Sequence, residues 1–527
     1  MEMNVSMASN AIEELHAIVG TDRLEADPNV LSQITCNTLG TQRKIVARVQ
    51  PLSQAEVQSI LDVAIRHRLP VYTISTGKNW GYGGSAPVMQ NCLLLDLSGL
   101  KSIVHFNRDL GYVTVEPGVT QKDLYEFLEK NEAAFMVPTT GAGPAASLLG
   151  NALERGYGIT PHEDHFGAVL GLKALLPDGS LYQSTLKELG GYQSDSVFKW
   201  KIGPYLDGLF TQSNLGIVLE ATIALARRPE DVTQFVAFLN DSQLEQAIRS
   251  TARIRQIFPG LVGGINIMNR RRLLSMMESQ WPLDRVLDES ELHDLAQKRG
   301  LHDWVLIGAV YGPPSVTRPA IKWIRREMKT CSQLVISMNR KKLNFIKRIA
   351  KLIPNSRIQK MLASASDAMD ILEGRPNSVA LPLAYLKNPV RPTSNPNPDQ
   401  DDCGLIWFAP LIPIQPQLVR QFCKLATSIC IRHQIEPLIT LTAISERCFD
   451  ATVPLLYTKQ SPYGQQRAEL CLHELLAAAR SMGLFPYRLD IERLAAFRSG
   501  AAPAFDLVRT IKRAVDPNGI LSPGRYD

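Results

Sequence analysis

Nowhere does the chain run to the ~20 consecutive apolar residues needed to cross a bilayer, so no membrane span is expected. The N-terminal stretch MEMNVSMASNAIEELHAIVG has no basic start leading into an apolar run, which argues against a signal peptide. Eight cysteines stand at 36, 92, 331, 403, 423, 430, 448 and 471, and none forms a Cys-x-x-Cys pair. That spacing speaks against a structural zinc site and fits reduced, buried thiols in a soluble cytoplasmic protein. Excess charge is scarce too. A net +6 over 527 residues, with no Arg/Lys run interleaved with aromatics, argues against a nucleic-acid partner. No internal repeat is visible. The length is too great for one compact domain and predicts two.

What is present up to about residue 228 alternates between helix and strand. Ser53-Gln54-Ala55-Glu56 has the form of a capping box, with Val57, Ile60, Leu61, Ala64 and Ile65 at helical spacing behind it. Val71-Tyr72-Thr73-Ile74, residues 92–97 (CLLLDL) and residues 112–115 (YVTV) read as strands. A helix capped by Thr120, with Asp123 three residues on, follows them. Residues 168–176 and 180–183 flank the turn Pro177-Asp178-Gly179, and residues 215–225 form a further apolar strand. After 229 come two basic helical segments, 268–277 and 339–362. The second can lie on an acidic partner or a membrane surface, although a solvated helix face is the commoner meaning of such a run. Residues 388–402 (NPVRPTSNPNPDQDD) predict a mobile loop, and the helix after 505 should stop at Asp516-Pro517-Asn518-Gly519.

The segment with most chemical content is 75–84, STGKNWGYGG. Four glycines in ten residues let a backbone approach an anion closely and turn successive N–H groups toward it, and a pyrophosphate is the natural guest. It is not the usual dinucleotide fingerprint, because no Gly-x-Gly-x-x-Gly follows a strand and opens a helix. Taken alone, the loop has the plainer meaning of a turn between strands.

Three further motifs follow in order: 116–120 (EPGVT), 149–158 (LGNALERGYG) and 210–218 (FTQSNLGIV), with 516–524 (DPNGILSPG) at the C-terminus. Together with the glycine-rich loop this set resembles the FAD-binding domain of the vanillyl-alcohol oxidase and para-cresol methylhydroxylase family. The resemblance implies an α+β fold: a two-part FAD-binding domain plus an α+β substrate-binding cap domain. It places the first part at 1–228, the cap at 229–480 and a C-terminal segment completing the site at 481–527. Gly374-Arg375-Pro376 and Trp407-Phe408-Ala409-Pro410 are similar to the family's cap pattern.

By that resemblance Thr76, Gly77, Lys78, Asn79 and Gly81 wrap the FAD pyrophosphate. Pro117, Gly118, Gly150, Asn151 and Gly158 line the cofactor, and Gly216, Ile217 and Val218 present backbone groups near the adenine. Arg525 is placed to hold negative charge on the reduced isoalloxazine, although a surface arginine at a chain end is the plainer reading. Phenol-oxidising members hold the phenolic oxygen as its anion with two tyrosines and an arginine, which map here onto Tyr82, Tyr487 and Arg488. A free phenol ionises near ~10, so a fixed guanidinium and two hydroxyl donors in a dry pocket favour its anion. The implied reaction is hydride loss from the α-carbon of a para-substituted phenol or 4-hydroxybenzyl-type alcohol.

Two departures qualify the match. The strand at 445–453 (SERCFDATV) offers neither the histidine nor the tyrosine that relatives use to bind flavin covalently. Gly77-Lys78-Asn79 supplies no loop histidine, so non-covalent FAD is expected. Residues 139–147 (TTGAGPAAS) lack the carboxylate that relatives hold near flavin N5, leaving His162, Glu163, Asp164 and His165 as the nearest candidate bases by sequence. The expected partners are a small phenolic substrate, oxygen or a redox protein as acceptor, and a second copy in a homodimer. Two alternatives remain open: oxidation or desaturation of a hydroxy acid or specialised metabolite on the same flavin, and a catalytically inactive binding protein that keeps the fold.

Overall fold

A computed structural model describes residues 5–278, 281–350, 356–392, 395–495 and 502–527. The helix Gln54–Arg66 begins where the capping box predicts, the Ser53 side chain accepting from Glu56 N. Thr120 and Asp123 form a reciprocal capping box on the helix Gln121–Lys130. Four short strands, β1 (Leu24–Glu25), β2 (Ile45–Val49), β3 (Val71–Ile74) and β4 (Cys92–Asp96), make a sheet in the order β1-β2-β4-β3. The β2–β4 and β3–β4 pairs are parallel. Parallel strands are covered on both faces, which explains why β4 is apolar at four successive positions and buried throughout. Val57, Ile60 and Leu61 of the capped helix pack in one core with Leu93 and Leu95 of that strand.

The second sheet is antiparallel. It consists of β5 (Ile103–Asn107), β6 (Tyr112–Val115), β7 (Val169–Leu175), β8 (Leu181–Tyr182) and β9 (Ile217–Ala224), in the order β5-β6-β9-β7-β8. The turn at Pro177-Asp178-Gly179 closes the β7–β8 hairpin, as its residues predict.

The third sheet has eight strands: β10 (Asp231–Leu239), β11 (Ile265–Asn269), β12 (Trp304–Gly312), β13 (Leu334–Asn339), β14 (Cys403–Phe408), β15 (Leu411–Pro413), β16 (Thr440–Ala443) and β17 (Cys448–Thr458). Seven run in the order β13-β10-β12-β11-β16-β17-β14, and β15 also pairs with β17. Alternation decides what each face does. Leu441 and Ala443 of β16, Phe449, Ala451 and Val453 of β17, and Ile406 and Phe408 of β14 enter one core with the helices Pro416–Arg432 and Gly464–Ser481. Their neighbours in sequence turn the other way, toward the cavity described below.

The C-terminal helix Pro503–Val515 stops where Asp516-Pro517-Asn518-Gly519 predicts. The chain then returns to the first sheet: Leu521 bridges Val71, and Ser522 N donates to Val71 O at 2.8 Å. Buried Lys512 fixes this return, donating to Asp516 Oδ2 at 2.6 Å and to the carbonyls of Asn214 and Leu521 at 2.8 Å each. The C-terminal part of the loop expected to be mobile at 388–402 is tied down. Asp401 Oδ2 accepts from Asn397 N at 2.7 Å and from Tyr385 Oη at 2.5 Å, while residues 393–394 lie outside the described residues. Of the basic stretch 339–362, residues 351–355 lie outside them as well; Arg340–Ala350 and the start of Ser356–Leu372 are helical. Among the described residues no helix is long and apolar enough to cross a membrane.

Candidate active site

A cavity of about 510 Å³ is lined by the loop after β3, the short helix Leu148–Leu153 and the residues after it, the approach to β9, the C-terminal return and the open face of the third sheet. The loop is held open from outside. Gly81 N donates to Thr38 Oγ1 at 2.7 Å, and Tyr82 N and Gly84 N both donate to Asn79 O at 3.1 Å. The amides of Thr76, Gly77, Lys78 and Asn79, by contrast, donate to no acceptor among the described residues, and all four residues line the cavity. Gly77 has φ +65°, and a side chain there would collide with Ser85 Oγ. Successive unpaired N–H groups beside a lysine make an anion cradle of the kind a diphosphate fills. The residues present therefore fit an FAD.

Beside this loop stand Tyr82, Tyr487 and Arg488. Tyr487 N donates to Ala409 O at 3.3 Å and Gln212 Nε2 to Tyr487 O at 3.1 Å, so the Tyr-Arg pair is fixed from two directions. The Arg488 guanidinium lies 4.2 Å from the centre of the Tyr82 ring, a cation–π contact. Its Nε donates to Glu154 Oε2 at 3.0 Å and its Nη2 to Asn79 Oδ1. Glu154 also pairs with Arg525, whose Nη1 donates to Tyr72 Oη at 2.9 Å. One carboxylate thus serves two guanidiniums, leaving a net positive charge beside the cavity. Burial, reinforced by Asp450, pushes the Tyr487 hydroxyl up to about 12 and that of Tyr82 well above the usual phenol value. Both tyrosines therefore stay protonated and act as donors.

One buried carboxylate faces this cluster. Asp450 alternates with Phe449 and Ala451 on β17, so while they enter the core it turns to the cavity with Thr452 and Pro454. Its Oδ2 accepts from Tyr157 Oη and, at 3.2 Å, from Thr452 Oγ1, whereas Oδ1 is buried without a donor among the described residues. Burial pushes its pKa up to about 6, against the pull of those two hydroxyls. The Tyr157 ring packs 6.0 Å from that of Tyr487.

The profile of an FAD binding domain matches residues 46–185. Over 541 residues the chain is 30% identical to 1'-carboxy-chondrochloren decarboxylase of Chondromyces crocatus, covering 100% of this chain and 98% of that one. It is 24% identical to the flavoprotein subunit of 4-cresol dehydrogenase [hydroxylating] of Pseudomonas putida, over 98% of this chain and 95% of that protein. The solved structure of 4-ethylphenol oxidase from Gulosibacter chungangensis, in its isoeugenol complex, superposes with a TM-score of 0.87 at 23% identity, covering 99% and 98% of the two chains. The chain belongs to the vanillyl-alcohol oxidase/para-cresol methylhydroxylase family. As a member it is an FAD-dependent oxidoreductase.

In this family member Thr76, Gly77, Lys78, Asn79, Gly150, Asn151, Gly216, Ile217, Val218 and Arg525 line the cavity together with Tyr82, Tyr487 and Arg488. Gly81, Pro117, Gly118 and Gly158 do not. Gly118 N donates to Leu100 O at 2.6 Å, Pro117 O accepts from Ser147 Oγ at 2.6 Å, and Gly158 N donates to Glu163 O at 2.9 Å. Gly81 backs onto the Trp407 ring. The candidate bases at 162–165 also face elsewhere. Glu163 is held by Arg255, Asp164 Oδ1 accepts from Gly167 N at 2.7 Å, and His165 bonds Asn151, its pKa pushed down to about 4 by burial. Asp450, Glu154, Tyr157 and Arg272 also line the cavity, although the sequence assigned none of them a place in the site. Glu154 and Tyr157 stand within the motif at 149–158, and Asp450 is an acidic side chain on a strand of otherwise buried type.

Proposed function

We propose that the protein abstracts a hydride from the para α-carbon of a 4-substituted phenol, using FAD held without a covalent bond. The observation that supports this most is the meeting of Tyr82, Tyr487 and Arg488 in the same cavity as the unpaired amide loop. Residues 1–228 and 481–527 would carry the cofactor, with 229–480 as the cap over it. Bound FAD supplies a two-electron acceptor for the hydride. Arg488 and the two protonated tyrosines stabilise the phenolate, whose electrons move into the ring as the hydride leaves, giving a quinone methide. Asp450, ionised above about pH 6, is the cavity's proton acceptor when water adds to that species. Arg488→Ala should lower kcat/KM for a para-alkylphenol by about 10²–10³-fold with the FAD retained. Turnover within a factor of two of the wild type would remove the phenolate reading.

A second outcome on the same site is favoured by the end-to-end likeness to a protein named a decarboxylase. Where the carbon next to the α-carbon bears a carboxylate, the quinone methide can lose CO2. The broken C–C bond's electron pair then forms the side-chain double bond and restores the phenolate. Detection of a vinylphenol and CO2 in equal amounts separates this outcome from hydroxylation.

Non-covalent attachment is supported by the cap, where the cavity-lining residues described include no histidine, cysteine or tyrosine. Tyr385, beside the lining residue Ala384, gives its hydroxyl to Asp401 instead. The acceptor is oxygen or a redox protein, which turnover under air and under nitrogen with an artificial acceptor distinguishes. A homodimer is supported by the exposed apolar side chains Leu189, Tyr192, Trp200 and Ile202. Sedimentation at twice the chain mass is the expected result.

A further inference from the structure

Three consecutive arginines open the helix Arg270–Met277, and two of them are matched by carboxylates. Arg270 pairs with Asp303 at 3.4 Å; buried Arg271 pairs with Glu289 at 2.7 Å and with fully buried Glu436. Arg272 is not matched. Among the described residues no carboxylate pairs with it, and its guanidinium donates only to Ser275 Oγ, at 3.2 Å. Its side chain lines the cavity, and burial with no opposing charge pushes its pKa down to about 10. A cation kept in such a place without a counter-ion is costly unless a ligand supplies one.

Its place along the cavity floor follows from the strand register. Asn269 Oδ1 accepts from Arg272 N at 2.9 Å and from Ile439 N at 3.1 Å, which ties the arginine to the start of β16. Thr440 stands opposite Thr452, and Thr442 opposite Asp450. Arg272 is thus tied beside the residue that precedes Thr440, and the Thr440 rung lies about 7 Å along the strands from the Asp450 rung, where the phenol cluster begins. A second unsatisfied donor lines the same cavity: the buried Trp80 Nε1, which has no acceptor among the described residues.

We propose that Arg272 anchors a carboxylate on the substrate's para side chain, so that the substrate class is a 4-hydroxyphenyl carboxylic acid with its acid group two or more carbons from the ring. This rests on the phenol reading for the other end of the molecule. It requires only that the acid be bound and holds whether or not CO2 is then lost.

The test uses FAD-loaded enzyme and three probes. Turnover is compared for 3-(4-hydroxyphenyl)propanoate and neutral 4-propylphenol, and binding of 3-phenylpropanoate, which has the acid but no phenol, is followed by the flavin absorption. The wild type should prefer the acid. Arg272→Met should lower the acid-to-neutral ratio of kcat/KM, and the affinity for 3-phenylpropanoate, by about 10–100-fold, with partial recovery in Arg272→Lys. An unchanged ratio and affinity in Arg272→Met, or a wild type that prefers 4-propylphenol, would overturn the proposal. Should Arg272→Met fail to hold FAD, the wild-type preference and Arg272→Lys decide it. Failure of the phenol reading looks different: neither phenol is turned over, while 3-phenylpropanoate still binds in an Arg272-dependent way.

Discussion

Asp450 is the residue whose environment and proposed task conflict. Enclosed, and with no donor to Oδ1 among the described residues, its carboxyl is pushed up to about 6 from an ordinary value near 3.8. Because the folded-state pKa is raised, the folded protein favours the neutral acid, and stability declines as pH climbs from about 4 through 6. Catalysis as proposed needs the anion, so kcat should rise with pH across the same interval and level off above about 7. Asp450→Asn removes both effects at once. It should abolish the acidic limb of the rate profile, reduce the plateau by about 10²-fold and raise the melting temperature at pH 8. A variant with an intact acidic limb would show that the proton goes elsewhere. The tyrosines behave oppositely: held up by burial, Tyr82 and Tyr487 remain donors through the working range, so Tyr82→Phe should cost activity without changing the shape of the profile.

At the scale of elements, local chemistry in the sequence was enough wherever one segment decides its own structure. Ser53 and Thr120 start their helices, Val71–Ile74 and Tyr112–Val115 are strands as read, and Asp516-Pro517 ends the last helix. The glycine-rich loop was legible for the same reason, since positive φ and close approach are properties of a few consecutive residues. Gly77 illustrates it: with φ +65° and Ser85 Oγ in the way of a Cβ, Gly77→Val should shift the loop and cut FAD occupancy several-fold, read from the ratio of flavin to protein absorbance. What could not be read is what strand register brings together from afar. Thr442 meets Asp450 only because β16 pairs with β17, and Tyr157 reaches that carboxylate across 293 positions. His165 and Asp164 looked close to the site by sequence number, yet neither lines the cavity: His165 bonds Asn151 on the helix Leu148–Leu153, and Asp164 accepts from Gly167 N.

Across the whole molecule the cavity is a meeting place rather than a pocket in one unit. Its wall draws on the first sheet's loop, the helix Leu148–Leu153 with the residues after it, the C-terminal return at Leu521–Arg525 and three strands of the third sheet. A cofactor lodged there touches segments that also bond one another directly, as Ser522 N does Val71 O, Arg488 does Glu154 and Asn79, and Tyr157 does Asp450. FAD that binds only the folded chain should therefore tie these segments into one unfolding unit. At a free concentration a hundredfold above its dissociation constant it adds about 2.7 kcal/mol, enough to raise the melting temperature by several degrees over the apoprotein. If attachment is non-covalent, acid precipitation should leave nearly all the yellow colour in the supernatant, and refolding with added FAD should restore both colour and the higher melting temperature. Colour retained in the pellet would mean that a side chain has bonded to the flavin. Since no histidine, cysteine or tyrosine stands among the described lining residues of 229–480, that bond would point to Tyr72, Tyr82, Tyr157 or Tyr487, which line the cavity from the rest of the chain.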